Sequence, residues 1–326
     1  SFNFVYANRH GDIHFIHNAQ LPMRTPNWQW DQYLPGDRSD LIWDAYHPTS
    51  SLPQVTNPSS GFVHSANQTP FNITAASDNP RQRDVPANGG WQTRMTNRAT
   101  RGLELFEDFG EISFDEAWQL KHDNSYSINY RGIAFLQQVT SLPKTSDRIA
   151  EAIDILSNWD RATDKNNRGA ALGVCVLAAE WQAESGGSSN PDPQPILDDC
   201  IEQTLDIGGR LDPRWGDVNR HGRDDTHWPV AGGPDTLRAI YSRRLDGDDH
   251  LTAVAGDGLY YLIRWMPDGD MRALGTHQYG NDMTNPDSPH YLDQAEDFTN
   301  EVLHQPLYSD QDRIGRITRR YNVRSD

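Results

Sequence analysis

The spacing of apolar residues changes along this chain, from every second residue to helical spacing and back again. Phe2, Phe4 and Tyr6 occupy alternate positions before a Gly-containing turn at residues 8–12, which predicts a β-hairpin. Between residues 98 and 210 the apolar residues mostly recur at intervals of three and four, as on one face of a helix. After residue 211 the alternation returns. Strands at both ends with helices between them predict a fold of the α+β class.

The chain is therefore expected to have three regions. Residues 1–97 combine strands with a long loop, rich in Pro, Asn, Ser and Trp, from about residue 21; residues 98–210 are mainly helical; residues 211–326 return to strands and helices. A long ordered loop is usually functional or packed over a scaffold. Trp28, Trp30 and Trp43 are expected to pack this loop onto the core, with stacking on a sugar as the alternative.

Local signals predict where several elements begin and end. Ser113 and Glu116 have the spacing of a capping box at the start of a helix, and Ser146 is placed to cap another. A turn at 267–269 separates two of the later strands. The predicted later strands are 251–255, 259–265 and 271–276, and the predicted last helices are Pro289–Leu303 and Gln311–Tyr321.

Charge and cysteine content exclude several classes of function. The 326 residues include 29 Lys and Arg against 46 Asp and Glu, a net charge of −17, which repels phosphate backbones and argues against a nucleic-acid partner. The same charge suits a periplasmic or secreted protein. No apolar run approaches the ~18–20 residues needed to span a bilayer. Cys175 and Cys200 lack the spacing of a zinc site, and either a disulfide or two buried thiols would suit them.

The common catalytic motifs are absent from the sequence. It contains no GxSxG, HExxH, Walker or GxGxxG pattern. His10, His14 and His17 lie close in sequence, but in a strand they would not all face one way, and solvent-exposed histidines are the simpler reading. Function must therefore be sought in longer segments rather than in one short motif.

Asn57–Pro70 is the most specific of several segments that occur in a fixed order, and it is similar to the pattern NPxSGFIxxANNxP of the penicillin acylase family. The later segments resemble the acyl-homoserine-lactone and aculeacin acylase branch of that family. The resemblance extends from the first residues to about Tyr321. The other matching segments are Phe4–Asn8 with Gly11–Ile13, Leu34–Gly36 with Trp43, Arg210–Leu211, Trp215–Asp217, Gly232–Asp235 and Ser288–Gln294.

This resemblance implies part of the four-layer αββα fold of N-terminal-nucleophile hydrolases, with a helical insertion. Family members cut themselves from a precursor, and the new N-terminal Ser attacks an amide while its own α-amine, with a pKa of about 7.7–8.0, acts as base. In the family the strand pair that Phe2–Ile13 resembles follows that Ser by well over a hundred residues. The nucleophile is therefore expected in a missing N-terminal part of the same precursor, and this chain alone is expected to be inactive. Ser1 as the nucleophile is the alternative.

The resemblance also assigns roles to single residues. Asn67 matches the Asn that donates its amide to the oxyanion; by sequence alone, it would simply close the turn before Pro70. Arg98 matches an Arg near the active site that would orient the amine of the nucleophile or hold the loop of Asn67, with a surface ion pair as the alternative. Phe2 matches a position that lines the acyl pocket, with core packing as the alternative. Asp78 matches a calcium-binding carboxylate of some relatives, and no organic cofactor is implied.

The sequence thus predicts an amide hydrolase that removes an acyl group from a small-molecule amide such as an N-acyl-homoserine lactone, a penicillin or a lipopeptide. The rival hypothesis, from another class, is a non-catalytic carbohydrate-binding or scaffold protein. It rests on the ten tryptophans and on the absence of a recognisable nucleophile. The acyl chain, the leaving amine and the state of the cysteines are left open by the sequence.

Overall fold

The computed structural model describes residues 2–87, 89–109 and 111–317. Strands lie near both ends of this part of the chain, and helices occupy the middle. The strands are β1 (Phe2–Ala7), β2 (Ile13–Asn18), β3 (Gln54–Thr56), β4 (Asn219–Arg223), β5 (Thr226–Pro229), β6 (Ile240–Arg244), β7 (Leu251–Gly256), β8 (Tyr260–Trp265) and β9 (Met271–Thr276). The α-helices are α1 (Asn97–Phe109), α2 (Phe114–His122), α3 (Gly132–Thr140), α4 (Asp147–Asn158), α5 (Ala170–Ser185), α6 (Pro193–Gly208), α7 (Trp215–Val218), α8 (Ala295–Thr299) and α9 (Asp310–Arg313).

The main apolar core lies among helices α3 to α6. Helix α5 is apolar on most sides and is surrounded by α3, α4, α6 and α7, so residues such as Leu172 are fully buried. Trp159, at the end of α4, lies directly against the backbone of α5. A Cβ on Gly173 would lie 2.2 Å from the Trp159 ring, so only glycine permits this contact. Within the described part of the chain, no helix has the length and apolarity to cross a membrane.

Cys175 on α5 and Cys200 on α6 form a disulfide, which settles the alternative that the sequence left open. The bond joins neighbouring core helices that are 25 residues apart in sequence. Closing a loop of that length restricts the unfolded chain and contributes on the order of 3 kcal/mol to stability. The free energy of unfolding of the helical region therefore depends partly on an oxidised state.

The strands of the described residues form three sheets. β1, β2 and β3 form an antiparallel sheet in that order, and β8 pairs with β9 as an antiparallel hairpin. The order β5-β4-β7-β6 describes a mixed sheet in which β4 and β7 are parallel. The predicted N-terminal hairpin and the three later strands are confirmed, as is the capping box of Ser113 and Glu116.

The last two helices are much shorter than predicted. Helix α8 is Ala295–Thr299 instead of Pro289–Leu303, because residues 289–294 form turns and Glu301 has a φ of 62°. Helix α9 ends at Arg313, and Gly315, with a φ of 76°, turns the chain away. The rest of the predicted helix at 318–321 lies outside the described residues. Both helices thus end close to a residue with a left-handed backbone, and the apolar periodicity of the sequence does not reveal such residues.

The tryptophans of the long loop do not pack it onto the core, contrary to expectation. The rings of Trp30 and Trp43 are 6.0 Å apart, and the Arg24 guanidinium lies over both, at 5.7 and 6.0 Å. Trp28 packs against Arg38 in the same way. Trp43 remains 49% exposed. Aromatic and cation–π contacts within the loop, rather than burial against the helices, therefore hold this part of it together.

Two buried histidines and one half-buried histidine contact aromatic rings. The half-buried His64 contacts Phe106, while His122 Nδ1 donates to the Trp118 carbonyl at 2.8 Å and its Nε2 accepts from the Tyr260 hydroxyl at 2.7 Å. His221 contacts the Gln278 carbonyl through Nε2 at 2.6 Å. Burial lowers the pKa of each of the three imidazoles to about 4. All three are therefore neutral in the folded protein at pH values where the unfolded chain already protonates them.

This difference predicts that stability falls as the pH falls from about 6.5 to about 4. His64→Phe removes one of these groups and keeps a ring beside the stacked pair of Phe62 and Phe106. We expect the loss of unfolding free energy between pH 7 and pH 4.5 to shrink by about 2–3 kcal/mol in this variant, measured by urea unfolding. His10→Phe, in an exposed turn, is the control. Equal shrinkage in both variants would contradict the role of burial.

Candidate active site

Asn67 lies exposed at the tip of a tight loop. Its φ of 61° is in the left-handed region, which Asn adopts more readily than most residues. The loop is closed by the next side chain, since Gln68 accepts from the Ala66 N–H at 2.6 Å and donates to the Asn72 carbonyl at 3.2 Å. Thr96 donates to the Ala66 carbonyl at 3.0 Å. The turn is therefore built by Gln68 and Thr96, and the Asn67 side chain is left to face outward.

Arg98, in the first turn of α1, determines how the Asn67 amide is oriented. Its Nη2 donates to Asn67 Oδ1 at 3.1 Å. A guanidinium can only donate, so the oxygen of the amide must face Arg98 and the NH₂ group must point away. No described residue accepts a hydrogen bond from Asn67 Nδ2. The result is an exposed amide donor, held in one orientation, on a rigid loop.

Asp235 in turn holds Arg98. Arg98 Nε donates to Asp235 Oδ1 at 3.1 Å, and the Asn97 N–H, at the start of α1, donates to Oδ2 at 2.7 Å. The Asp235 side chain is only 4% exposed. Burial raises the pKa of Asp235, while the Arg98 charge and the Asn97 N–H act in the opposite direction. Each oxygen of this carboxylate thus has one donor, and the Arg98 charge compensates for its removal from water.

The helical core supports the loop that carries Asp235. Trp215, which is 1% exposed, donates to the Gly232 carbonyl at 2.9 Å, and the Tyr126 hydroxyl donates to the Pro234 carbonyl at 2.6 Å. Gly232 has a φ of 103°, and a Cβ there would lie 2.2 Å from the Arg238 carbonyl oxygen. Only glycine therefore allows the chain to turn at this point and to place Asp235 at the start of α1.

Phe2 lies beside this loop but not against Asn67. Its neighbour Asn3 donates to the Gln68 carbonyl at 3.5 Å and contacts His17 Nδ1 at 2.7 Å. Because side chains alternate across a strand, Phe2 points to the opposite face of β1, where it is 75% exposed. It is not part of the core of the described chain. Its role in an acyl pocket stays a prediction, and Ser1 lies outside the described residues.

Asp78 does not form a metal site with other described residues. Its Oδ2 accepts from the Ser59 hydroxyl at 2.7 Å and the Ser60 N–H at 3.1 Å, and these bonds lower its pKa. No group of three His, Cys, Asp or Glu side chains in the described ranges is arranged to hold a metal ion. One ionised carboxylate is a suitable calcium ligand but not a site. Here it connects two parts of the segment that carries Asn67, and its role toward calcium stays a prediction.

Comparison with known proteins identifies the family of this chain. The family model for penicillin amidase matches residues 1–314. The chain belongs to the penicillin amidase family. It is 26% identical to penicillin G acylase from Escherichia coli over 173 residues, which cover 52% of this chain and 19% of that protein. It therefore spans about a fifth of the length of that curated relative in this match.

A solved penicillin amidase structure shows the same fold. A thermostable penicillin G acylase from Alcaligenes faecalis superimposes with a TM-score of 0.55 and 14% sequence identity, covering 99% of this chain and 67% of that one. The predicted α+β class and the N-terminal-nucleophile hydrolase fold are thereby confirmed. The assignment to the homoserine-lactone and aculeacin branch stays a prediction.

Sequence reasoning marked Asn67 and Arg98 but missed Asp235, which joins them to the core. Asp235 appeared only as the last residue of a matching Gly-Gly-Pro-Asp segment, and in such a segment Asp is typical of any turn. The chain separates it from Arg98 by 137 residues. Since neither residue had a visible partner nearby in sequence, only the coordinates could bring them together.

The coupling between Arg98 and Asp235 can be measured by a double-mutant cycle on the free energy of unfolding. Arg98→Ala and Asp235→Asn suit the cycle, because Asn tolerates the φ of 59° found at position 235. Arg98 is 22% exposed, so we expect a coupling of about 2 kcal/mol, below the 3–5 kcal/mol lost when a fully buried pair is broken. The Arg38–Asp40 pair, exposed by 51% and 45%, should give a clearly smaller coupling because water screens it. Equal couplings would contradict the assignment.

Proposed function

We propose that the protein is an amide hydrolase of the penicillin acylase type and that Asn67 supplies a hydrogen bond to the oxyanion of its transition state. The observation that carries this proposal is the exposed Asn67 Nδ2, oriented by the Arg98 contact to Oδ1. Amide hydrolysis passes through a tetrahedral oxyanion, and one prearranged donor lowers its barrier by roughly 3–4 kcal/mol. Family membership independently supports the same chemistry.

In the proposed reaction an N-terminal serine attacks the amide carbon while its own α-amine accepts the hydroxyl proton. The leaving amine departs with a proton, and water then hydrolyses the acyl-enzyme to release a carboxylic acid and the free serine. The residues of this chain do not form or break bonds in these steps. Asn67 stabilises the negative oxygen, Arg98 orients Asn67, and Asp235 positions Arg98. No organic cofactor is required, and calcium at Asp78 would stabilise the fold without entering the reaction.

We propose that the nucleophile lies on another part of the same precursor, and that this part packs against β1. Phe2, Phe4, Val5 and Tyr6 are exposed by 75%, 53%, 48% and 54%, so both faces of this edge strand present apolar side chains. Exposed edge strands of this kind are normally covered or paired in native proteins. The net charge of −17 supports a periplasmic or secreted location for the complete protein.

Substitution of Asn67 tests the oxyanion role, and the left-handed backbone decides which variants are informative. Asn67→Gly keeps the φ of 61° without strain but removes the amide, whereas Asn67→Ala would add backbone strain. Asn67→Asp keeps an acceptor for Arg98, but it replaces the amide donor with a carboxylate whose negative charge opposes the oxyanion. In the complete, processed enzyme we expect Asn67→Gly to lower kcat by about 10²–10³-fold with little change in KM, and Asn67→Asp to lower kcat at least as much. Activity within a few-fold of the native enzyme in the glycine variant would reject the role.

The acyl group is the less constrained half of the substrate. The later motifs resemble relatives that accept aliphatic chains, and Phe2 would then supply one apolar wall. Because each buried methylene contributes about 0.8 kcal/mol, we expect kcat/KM to rise with chain length until the pocket ends, measured with amides of about four to fourteen carbons. Neighbouring lengths should differ by no more than roughly 10–200-fold. A preference for phenylacetyl amide, or rates independent of length, would reject the aliphatic assignment while leaving the amidase proposal intact.

A further inference from the structure

Two arginines face each other on the β8–β9 hairpin without a partner of opposite charge. Arg264 and Arg272 are directly paired in the register of the two strands. Directly opposed side chains have Cβ atoms about 4.5–5.5 Å apart, and like charges in such a pair destabilise a sheet. Neither guanidinium has a hydrogen bond or ion pair with any described residue. This is unexpected in a protein with 46 acidic and only 29 basic residues.

The pair lies on the face of the hairpin that packs against α2. Tyr260 lies on the same face of β8 as Arg264, four residues before it. The Tyr260 hydroxyl is hydrogen-bonded to His122 of α2, and the Lys121 ammonium lies over the Tyr260 ring. Because side chains alternate along β8, Arg264 points to that face too, while Tyr261 and Ile263 are exposed on the other. The C-terminal end of α2 is thus held at Tyr260, and its N-terminal end lies over the arginines.

A cavity of about 720 Å³ opens between α2 and this end of the hairpin. Its volume is within the range of small-molecule sites. Phe114, Met266 and Leu274 contribute apolar atoms to the lining beside the arginines, and Ser113 and Gln305 contribute polar ones. The Tyr308 hydroxyl donates to the Met271 carbonyl at 2.6 Å, so Tyr308 presents its ring rather than a free polar group.

Two carboxylates also line the cavity, and they limit the charge of any ligand. Asp115 and Asp270 are lining residues too, and neither forms an ion pair with Arg264 or Arg272. With two cationic and two anionic side chains, the lining has no net charge. The two carboxylates would repel a polyanion such as phosphate, whereas a single carboxylate on an apolar group would match the guanidinium pair and the apolar atoms of Phe114 and Leu274.

We propose that this cavity binds an amphipathic monocarboxylate, an acid anion with an aliphatic or aromatic tail. The carboxylate lies between Arg264 and Arg272 and relieves their repulsion, and the tail contacts Phe114 and Leu274. Neither Asn67 nor Arg98 lines the cavity. The site is therefore independent of the proposed amide hydrolysis, although an acid of this class is also what that reaction would release.

Calorimetric titration of the complete protein with octanoate tests the proposal. We expect binding that weakens by about tenfold or more in R264Q and in R272Q, since each removes a charge-assisted hydrogen bond. R9Q, which removes one charge from the exposed turn between β1 and β2, should bind as the native protein does. Octanamide lacks the charge and acetate lacks the tail, so both should bind more weakly than octanoate. Phosphate binding equal to that of octanoate would overturn the proposal, as would unchanged octanoate affinity in the arginine variants.

A second measurement separates loss of the ligand from loss of the fold. Without octanoate, R264Q and R272Q should unfold at the same temperature as the native protein or higher, because each removes a like-charge repulsion. With octanoate, the native protein and R9Q should gain stability and the two variants should not. Asn67→Gly should leave octanoate binding unchanged. Binding lost in Asn67→Gly but kept in R264Q would place the acid at the candidate active site and reject the cavity.

Discussion

The ion pair between Arg98 and Asp235 is the contact on which the arrangement of the candidate site depends. A carboxylate that is 4% exposed is stable only if positive charge and hydrogen-bond donors compensate its lost hydration. Arg98 and the N–H at the start of α1 provide both. The same guanidinium holds the Asn67 amide, so the loop around Asn67, helix α1 and the loop after β5 are joined at one point. A substitution in any one of these three segments would therefore affect the position of the other two.

The rigidity behind this contact comes from the helical core. Trp215 and Tyr126 are both members of the main apolar cluster, and both donate to carbonyls of the loop that carries Asp235. The disulfide between α5 and α6 restricts the same cluster. A polar site on loops is well ordered when such a scaffold satisfies the loop backbone. The hydrogen bonds donated by Trp215 and Tyr126 thus link the apolar core to the loop that carries the polar site.

Two surface features of the described residues are unusual for a folded protein in water. Strand β1 exposes apolar side chains on both faces, and the β8–β9 hairpin places two arginines side by side. Both features are unfavourable for the isolated chain, since apolar surface remains in water in one and like charges repel in the other. The proposed packing of another part of the precursor would cover the first surface, and the proposed carboxylate ligand would relieve the repulsion in the second.

The sequence by itself determined the local elements and the family. Capping by Ser113 and Ser146 and the hairpin at residues 2–18 depend on side chains within a few residues of each other, and the structure has them as predicted. The ordered motifs also marked Asn67 and Arg98, because residues of a short motif keep their spacing whatever surrounds them.

Tertiary structure alone decided the rest. The disulfide between Cys175 and Cys200 and the role of Asp235 depend on residues that are far apart in sequence, and the short helix near residue 300 ends close to a left-handed residue. Periodicity reports which face of a segment is apolar, but not where a left-handed residue will end it. Asp235 lies 137 residues from Arg98. The strength of their contact depends on folding, which removes Asp235 almost completely and Arg98 only partly from water, and no local pattern records it.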